Sequence, residues 1–269
     1  MANALAQISE AGVAVWLDDL SRERLQNNSL ATLIKEDKVV GVTTNPSIFS
    51  AAIGKSDLYV KDITKNGDKT VEEIITGLTT DDVRNACDLF SQTFKNSNGR
   101  DGRVSIEVDP RFARDTKSTI AQGKELWQII DRPNLLIKVP ATIEGLPAIT
   151  ELISEGISVN VTLIFSVNRY RQVLDAFASG LEKRLASGKA IADIYSVASF
   201  FISRIDSEVD KQLPGDSELR GSIAIANAIM AYEAYQTFKK TKRWQMIATK
   251  NGNLQRPLWA STGVKDPAY

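Results

Sequence analysis

Lys138 sits in the run Asn134-Leu-Leu-Ile-Lys-Val-Pro140, which is apolar around the lysine and closed by a proline. Residues 135–139 read as a short buried strand. Desolvation there favours a neutral amine, and a neutral amine can add to a ketone carbonyl and form a Schiff base. Lysines at strand ends also snorkel to solvent or pair with carboxylates, so one lysine does not decide the chemistry. Two carboxylates, Asp18 and Glu107, belong to strand-like runs elsewhere. Beside an amine they could divide the proton transfers of carbinolamine formation, dehydration and carbon–carbon cleavage. Asn45, Asn160 and Thr162 add groups suited to substrate hydroxyls and a water. Each has a plain structural use as well: Asp18 fits a helix N-cap, and Asn45 a turn residue before Pro46. The sequence holds no histidine, which excludes Ser-His and Cys-His dyads and leaves too few ligands for a typical zinc site. No metal is expected.

Strands must position these groups, and alternate residues of a strand face opposite sides. Residues 103–109 split into Val104, Ile106 and Val108 against Ser105, Glu107 and Asp109. Residues 157–163 split into Ile157, Val159, Val161 and Leu163 against Ser158, Asn160 and Thr162. The Lys138 strand sets Ile137 and Val139 against Leu136 and Lys138, and the first strand sets Val13, Val15 and Leu17 against Ala14, Trp16 and Asp18. An open sheet buried under helices has little use for the second, more polar face. A barrel uses it, because inward residues at the C-terminal strand ends build the active site. Closing a barrel is therefore expected to gather Asp18, Asn45, Glu107, Lys138, Asn160 and Thr162 at one mouth.

Seven strands are expected, at 13–17, 39–43, 103–108, 135–139, 157–165, 194–201 and 257–260. Between them lie short helical pieces at 21–25 and 29–35, each opened by a serine, and helices at 81–94, 115–130, 146–155, 168–185, 204–212 and 223–239. Gly156 is expected to stop the fifth of these eight segments. The alternation argues for a parallel sheet covered by helices, in a single α/β-barrel domain over 1–269. No Gly-rich phosphate loop follows the first strand, as a dinucleotide-binding fold requires.

Composition narrows the setting. Lysine plus arginine (33) equals aspartate plus glutamate (33), which gives no support for a nucleic-acid partner. The chain is 43% hydrophobic and 25% charged, the balance of a soluble globular protein. One cysteine, Cys87, allows no internal disulfide and fits a reducing cytoplasm. There is no signal-peptide pattern in the first residues and no apolar run long enough to cross a membrane.

Five motifs, in order, resemble the transaldolase family, most closely its longer bacterial subgroup. They are Gly41-Val-Thr-Thr-Asn-Pro-Ser-Ile-Phe49, Val104-Ser-Ile-Glu-Val-Asp109, Leu136-Ile-Lys-Val-Pro140, Asn160-Val-Thr-Leu-Ile-Phe-Ser166 and Ser199-Phe-Phe-Ile-Ser-Arg-Ile205. The resemblance implies a (β/α)8 TIM barrel that needs no cofactor. It implies transfer of a dihydroxyacetone unit from sedoheptulose 7-phosphate to glyceraldehyde 3-phosphate in the pentose phosphate pathway. By the same resemblance Lys138 is the Schiff-base nucleophile, Asp18 the acid/base at carbon–carbon cleavage, and Glu107 with Thr162 the pair that positions water. Asn45 and Asn160 bind substrate hydroxyls, Ser199 lies at the donor end, and Arg204 binds phosphate. Phe201 stands where the related fructose 6-phosphate aldolases carry a tyrosine, which favours transfer over aldol release. Sugar phosphates are the expected partners, with no nucleic acid or membrane, and the chain is expected as a monomer or homodimer.

Two departures from the family accompany this. Its seventh strand ends in a serine followed two residues later by an arginine; Ser261 fits the first, Gly263 stands at the second, and Lys265 is the expected substitute cation. The sequence reaches Tyr269 without the family's eighth strand or final helix, so the barrel is expected to be incomplete after the seventh strand. That motivates one alternative, a barrel fragment that binds a sugar phosphate or a partner without turnover. A further alternative is a fructose 6-phosphate aldolase-like lyase that releases free dihydroxyacetone, against which Phe201 argues.

Overall fold

The computed structural model describes residues 4–264. In chain order its elements are α1 (Ala4–Glu10), β1 (Val15–Leu17), α2 (Arg22–Gln26), α3 (Ser29–Glu36), β2 (Val39–Val42), α4 (Pro46–Lys55), α5 (Val60–Lys65), α6 (Val71–Leu89), α7 (Ser91–Asn96), β3 (Arg103–Glu107), α8 (Thr116–Ile130) and β4 (Leu135–Pro140). Then come α9 (Gly145–Glu155), β5 (Val159–Ile164), α10 (Val167–Ala186), β6 (Ser196–Phe201), α11 (Ser203–Val209), α12 (Ile223–Lys239), α13 (Lys242–Ala248) and β7 (Arg256–Ala260). The strand order is β1-β2-β3-β4-β5-β6-β7. Parallel strands wound in chain order with helices between them are the winding of a β/α barrel, and the α/β class and the seven strands agree with the sequence. Two compact units are distinguished, Met1–Pro110 with Gln122–Ile137, and Arg111–Ala121 with Lys138–Tyr269.

In the first unit β1, β2 and β3 pair in parallel, with Trp16 opposite Gly41 and Val42 opposite Val104. Gly41 is needed there: a Cβ on it would lie 2.5 Å from two ring carbons of Trp16. Behind the strands, Leu20, Leu30, Val83, Ala86 and Phe90 are buried. Arg22 joins three helices. Its guanidinium meets Asp82 at 3.0 Å and Asp62 at 2.5 Å and lies 4.4 Å from the Tyr59 ring centroid, while the Tyr59 hydroxyl donates to Asp82 at 2.8 Å. The start of β4 is held by Asn134, whose amide donates to the carbonyls of Cys87 and Gly102 at 2.9 and 2.8 Å. Cys87 is itself buried, and burial pushes its thiol up to about 12.

In the second unit β5, β6 and β7 pair in parallel under α9 and α10. Gly156 stops α9 in the left-handed conformation at φ +94°, as expected from the sequence. Aromatic edges knit the outer layer, with Tyr170 on Phe200 and Phe200 on Trp259, each 6.0 Å between centroids. Arg243 fastens α13 to α10: it meets both carboxylate oxygens of Glu182 at 2.8 and 2.7 Å and Asp175 at 2.5 Å.

Several expectations are corrected. The first strand covers only Val15–Leu17, all half-buried, and Val13 is exposed, because its amide donates to the Ile8 carbonyl at 3.1 Å and so belongs to the turn that ends α1. Asn28, not Ser29, stands at the N-cap position of α3, without a side-chain capping bond, at φ +63°, a conformation asparagine tolerates better than serine. The helix expected at 81–94 is two helices, divided at Phe90, and the first starts at Val71 behind a Thr70–Glu73 capping box. Leu163 is not on the apolar face of β5. It is 41% exposed at φ +59°, and the strand register shifts beside it. The helix α13, opened by a Thr241 cap, is an addition to the expected elements.

Candidate active site

In the first unit the polar groups cluster just past the C-terminal ends of β1 and β2. Asp18 is the first residue beyond β1 and is exposed. The Thr43 hydroxyl donates to its Oδ1 at 2.5 Å, and the Thr43 amide donates to the Leu17 carbonyl at 2.8 Å. The backbone contact thus fixes the residue whose side chain aims the carboxylate. Asp18 does not serve as a helix cap, since Ser21 caps α2. Asn45 does have a structural role, because its Oδ1 accepts from the Ile48 amide at 3.0 Å and caps α4, with Pro46 in the first turn. Glu107 is the last residue of β3 and is partly buried. Thr44 ties β2 to β3 through its hydroxyl on the Ser105 carbonyl, at 2.8 Å.

In the second unit Lys138 is only 5% exposed, in a strand whose six residues are all buried. An ammonium or amine in that setting is held away from bulk water, where hydrolysis and proton leakage would compete with addition. Asn160 and Thr162 lie in β5 and Ser199 in β6, all at 2% exposure or less. The Ser199 hydroxyl donates to Asn160 Oδ1 at 2.8 Å, so these two expected site residues meet. The Thr162 carbonyl accepts from the Ala141 amide at 2.8 Å. Phe201 closes β6 and is buried; the Arg204 guanidinium lies 5.0 Å from its ring centroid. Arg204 is exposed and forms no ion pair among the described residues, so its donors stay open to an anion.

Ser261 stands just beyond β7 at φ +54°. Its carbonyl accepts from the Ser203 hydroxyl and amide at 2.6 and 3.0 Å, and the two hydroxyls are 3.1 Å apart. Gly263 is exposed, and Lys265 lies outside the described residues. A cavity of about 270 Å³ beside α11 touches Ser203, Thr262 and Arg220 but none of the residues expected in the site. Among the described residues no group of acidic, cysteine or histidine side chains could hold a metal ion. No described helix is long and apolar enough to cross a membrane.

Thr43, Ser203 and Phe165 are site neighbours that the sequence does not single out. Each lies inside one of the five motifs; Thr43 is also at even spacing from Asn45, a usable signal, whereas strand alternation sets Phe165 apart from Asn160 and Thr162.

Residues 15–269 match the family described as transaldolase/fructose-6-phosphate aldolase. The chain belongs to that family. Among its relatives, "Transaldolase 1" of Streptomyces coelicolor is 55% identical over 276 residues, covering 100% of this chain and 72% of the relative. "Transaldolase" of Mycolicibacterium smegmatis is 56% identical over 273 residues, 98% of this chain and 73% of the relative. "Transaldolase" of Thermobifida fusca is 52% identical over 275 residues, 99% and 74%. The fold is accordingly that of the transaldolase family, and the chain is a transferase of the transaldolase class.

Proposed function

We propose that the chain transfers a dihydroxyacetone unit between sugar phosphates through a Schiff base on Lys138, with sedoheptulose 7-phosphate as donor and glyceraldehyde 3-phosphate as acceptor. The observation that carries this reading is the burial of Lys138, 5% exposed in the wholly buried β4 of a chain about 55% identical to named transaldolases. The amine adds to the donor ketone, and loss of water gives the iminium. Asp18, held by Thr43, takes the C4 hydroxyl proton as the C3–C4 bond breaks, and the bonding electrons pass into the iminium as an enamine. The enamine then attacks the acceptor aldehyde, and hydrolysis returns the lysine. Glu107 and Thr162 position the water of the dehydration and hydration steps. Asn45 and Asn160 hold substrate hydroxyls, Ser199 orients Asn160 at the donor end, and Arg204, with Ser261 and Lys265, receives the phosphate.

Phe201 favours transfer over release of free dihydroxyacetone, because an apolar ring offers no hydroxyl to bring water to the intermediate. The same reading assigns one domain to 1–269, a cytoplasmic site of action, and a monomer or homodimer, which sedimentation would decide. The test of the chemistry is reduction with borohydride in the presence of fructose 6-phosphate, followed by peptide mapping. A reduced three-carbon adduct on Lys138 is expected. Folded protein with Lys138 unlabelled would overturn the assignment.

A further inference from the structure

The strand β5 changes phase near its end. Simple alternation would set Phe165 on the opposite face from Asn160 and Thr162. Leu163 instead takes φ +59°, a conformation uncommon for any residue but glycine. The register slips at the same place: Val161 pairs with Ala198 but Ile164 pairs with Phe200, three steps against two. The extra residue is a β-bulge, a device that re-aims side chains beside functional sites. Beyond it Ile164 takes the buried apolar position at 0% exposure, and Phe165 comes round to the face of Asn160 and Ser199. There its ring lies 5.1 Å from Phe201, two residues past Ser199. On α12, the Asn227 amide donates to the Phe165 carbonyl at 3.0 Å and fixes the backbone past the bulge.

The result is a row of three side chains, Phe165 on Phe201 and Phe201 under the guanidinium of Arg204. We propose that Phe165 is a positioning residue for the anion-binding Arg204, holding the Phe201 ring on which that guanidinium rests. This rests on the reading of Arg204 as the phosphate ligand. An exposed arginine has many rotamers, and a fixed aromatic platform restricts them to those that face the anion. The contact reaches Arg204 through the Phe201 ring, so its effect falls on phosphate affinity, while a leucine at 165 keeps an apolar neighbour beside Phe201 and leaves the exclusion of water there in place.

The test compares Phe165→Leu with the parent chain on fructose 6-phosphate and on unphosphorylated fructose as donors, with inorganic phosphate as a competing anion. The expected result is a measurable rise, of up to about fivefold, in KM for fructose 6-phosphate and in the inhibition constant for phosphate, the full loss of the Arg204–Phe201 cation–π contact setting the upper end. The kcat, and the kcat/KM for fructose, stay at parental values, and Phe165→Tyr, which keeps the ring, restores KM. Equal losses on both donors, or no change in KM, would overturn the positioning role. Arg204→Gln is measured in parallel. If it leaves KM for fructose 6-phosphate unchanged, the reading of Arg204 fails and the inference fails with it. If it raises KM while Phe165→Leu does not, only the inference fails.

Discussion

Removing the Ser199 hydroxyl should show whether Asn160 is held for substrate binding or merely packed. The hydrogen bond spans 2.8 Å, and its two residues are 2% and 0% exposed, so water cannot take the place of the lost donor. Leaving a buried carbonyl without that donor costs about 1–3 kcal/mol. That cost corresponds to a factor of roughly 5 to 150 in an equilibrium constant. If the amide keeps its place in Ser199→Ala, the loss falls on folding, and Tm drops by about 2–4 °C for each kcal/mol in a chain of this size. If the amide turns to another partner, the loss falls on kcat/KM instead, because the substrate hydroxyl is no longer met. A double-mutant cycle with Asn160→Ala, read by both Tm and kcat/KM, separates these outcomes. The serine's effect should vanish once the amide is gone, with a coupling of at least about 1 kcal/mol in one readout or the other. Additivity within about 0.5 kcal/mol in both readouts would refute the reasoning.

Two other consequences concern the frame. Gly41→Ala should destabilise the chain by about 1–3 kcal/mol in chemical denaturation and shift tryptophan emission, because a methyl 2.5 Å from the Trp16 ring forces that rigid side chain to move; unchanged stability and emission would show the ring free to give way. The Arg243 guanidinium, paired bidentately with Glu182, holds that carboxyl below the usual carboxylate range. A depressed folded-state value means the stabilisation is present above the unfolded value of about 4.3 and is lost as pH falls through the folded one. Glu182 is half-exposed, so Glu182→Gln should cost no more than about 1 kcal/mol at pH 7. The gap to the parent should close as the medium is acidified below about pH 4, and a gap unchanged down to pH 3 would refute the linkage.

The sheet was legible because its strands are short apolar runs with polar partners at alternate positions, and helix ends such as Gly156 carry their own chemistry. The buried lysine was legible for the same reason, being the one charge in an apolar strand. What could not be read is what depends on tertiary neighbours. Asn45 is drawn into capping α4 by its place before Pro46, yet its other amide group stays available, so the two uses suggested by the sequence do not exclude each other. Asp18 offers the opposite case. Ser21, three residues on, takes the capping position and leaves the carboxylate to Thr43, a partner 25 residues away that no local pattern connects to it.

The β5 bulge shows the limit most sharply. Its strand alternates cleanly from Ile157 to Thr162 and then runs Leu163-Ile164-Phe165 without a polar residue. Alternation is readable only where neighbouring residues differ in polarity, so a change of phase inside three apolar residues leaves no trace in the pattern. Yet this is where the phase matters for chemistry. One inserted residue sends Leu163 out, keeps Ile164 in the core and delivers Phe165 to Phe201. A strand without the bulge would keep every hydrophobic residue acceptable to the core and lose the aromatic contact behind Arg204. The apolar run therefore preserves stability in either phase, and the backbone, through one left-handed leucine, decides which face the last aromatic serves.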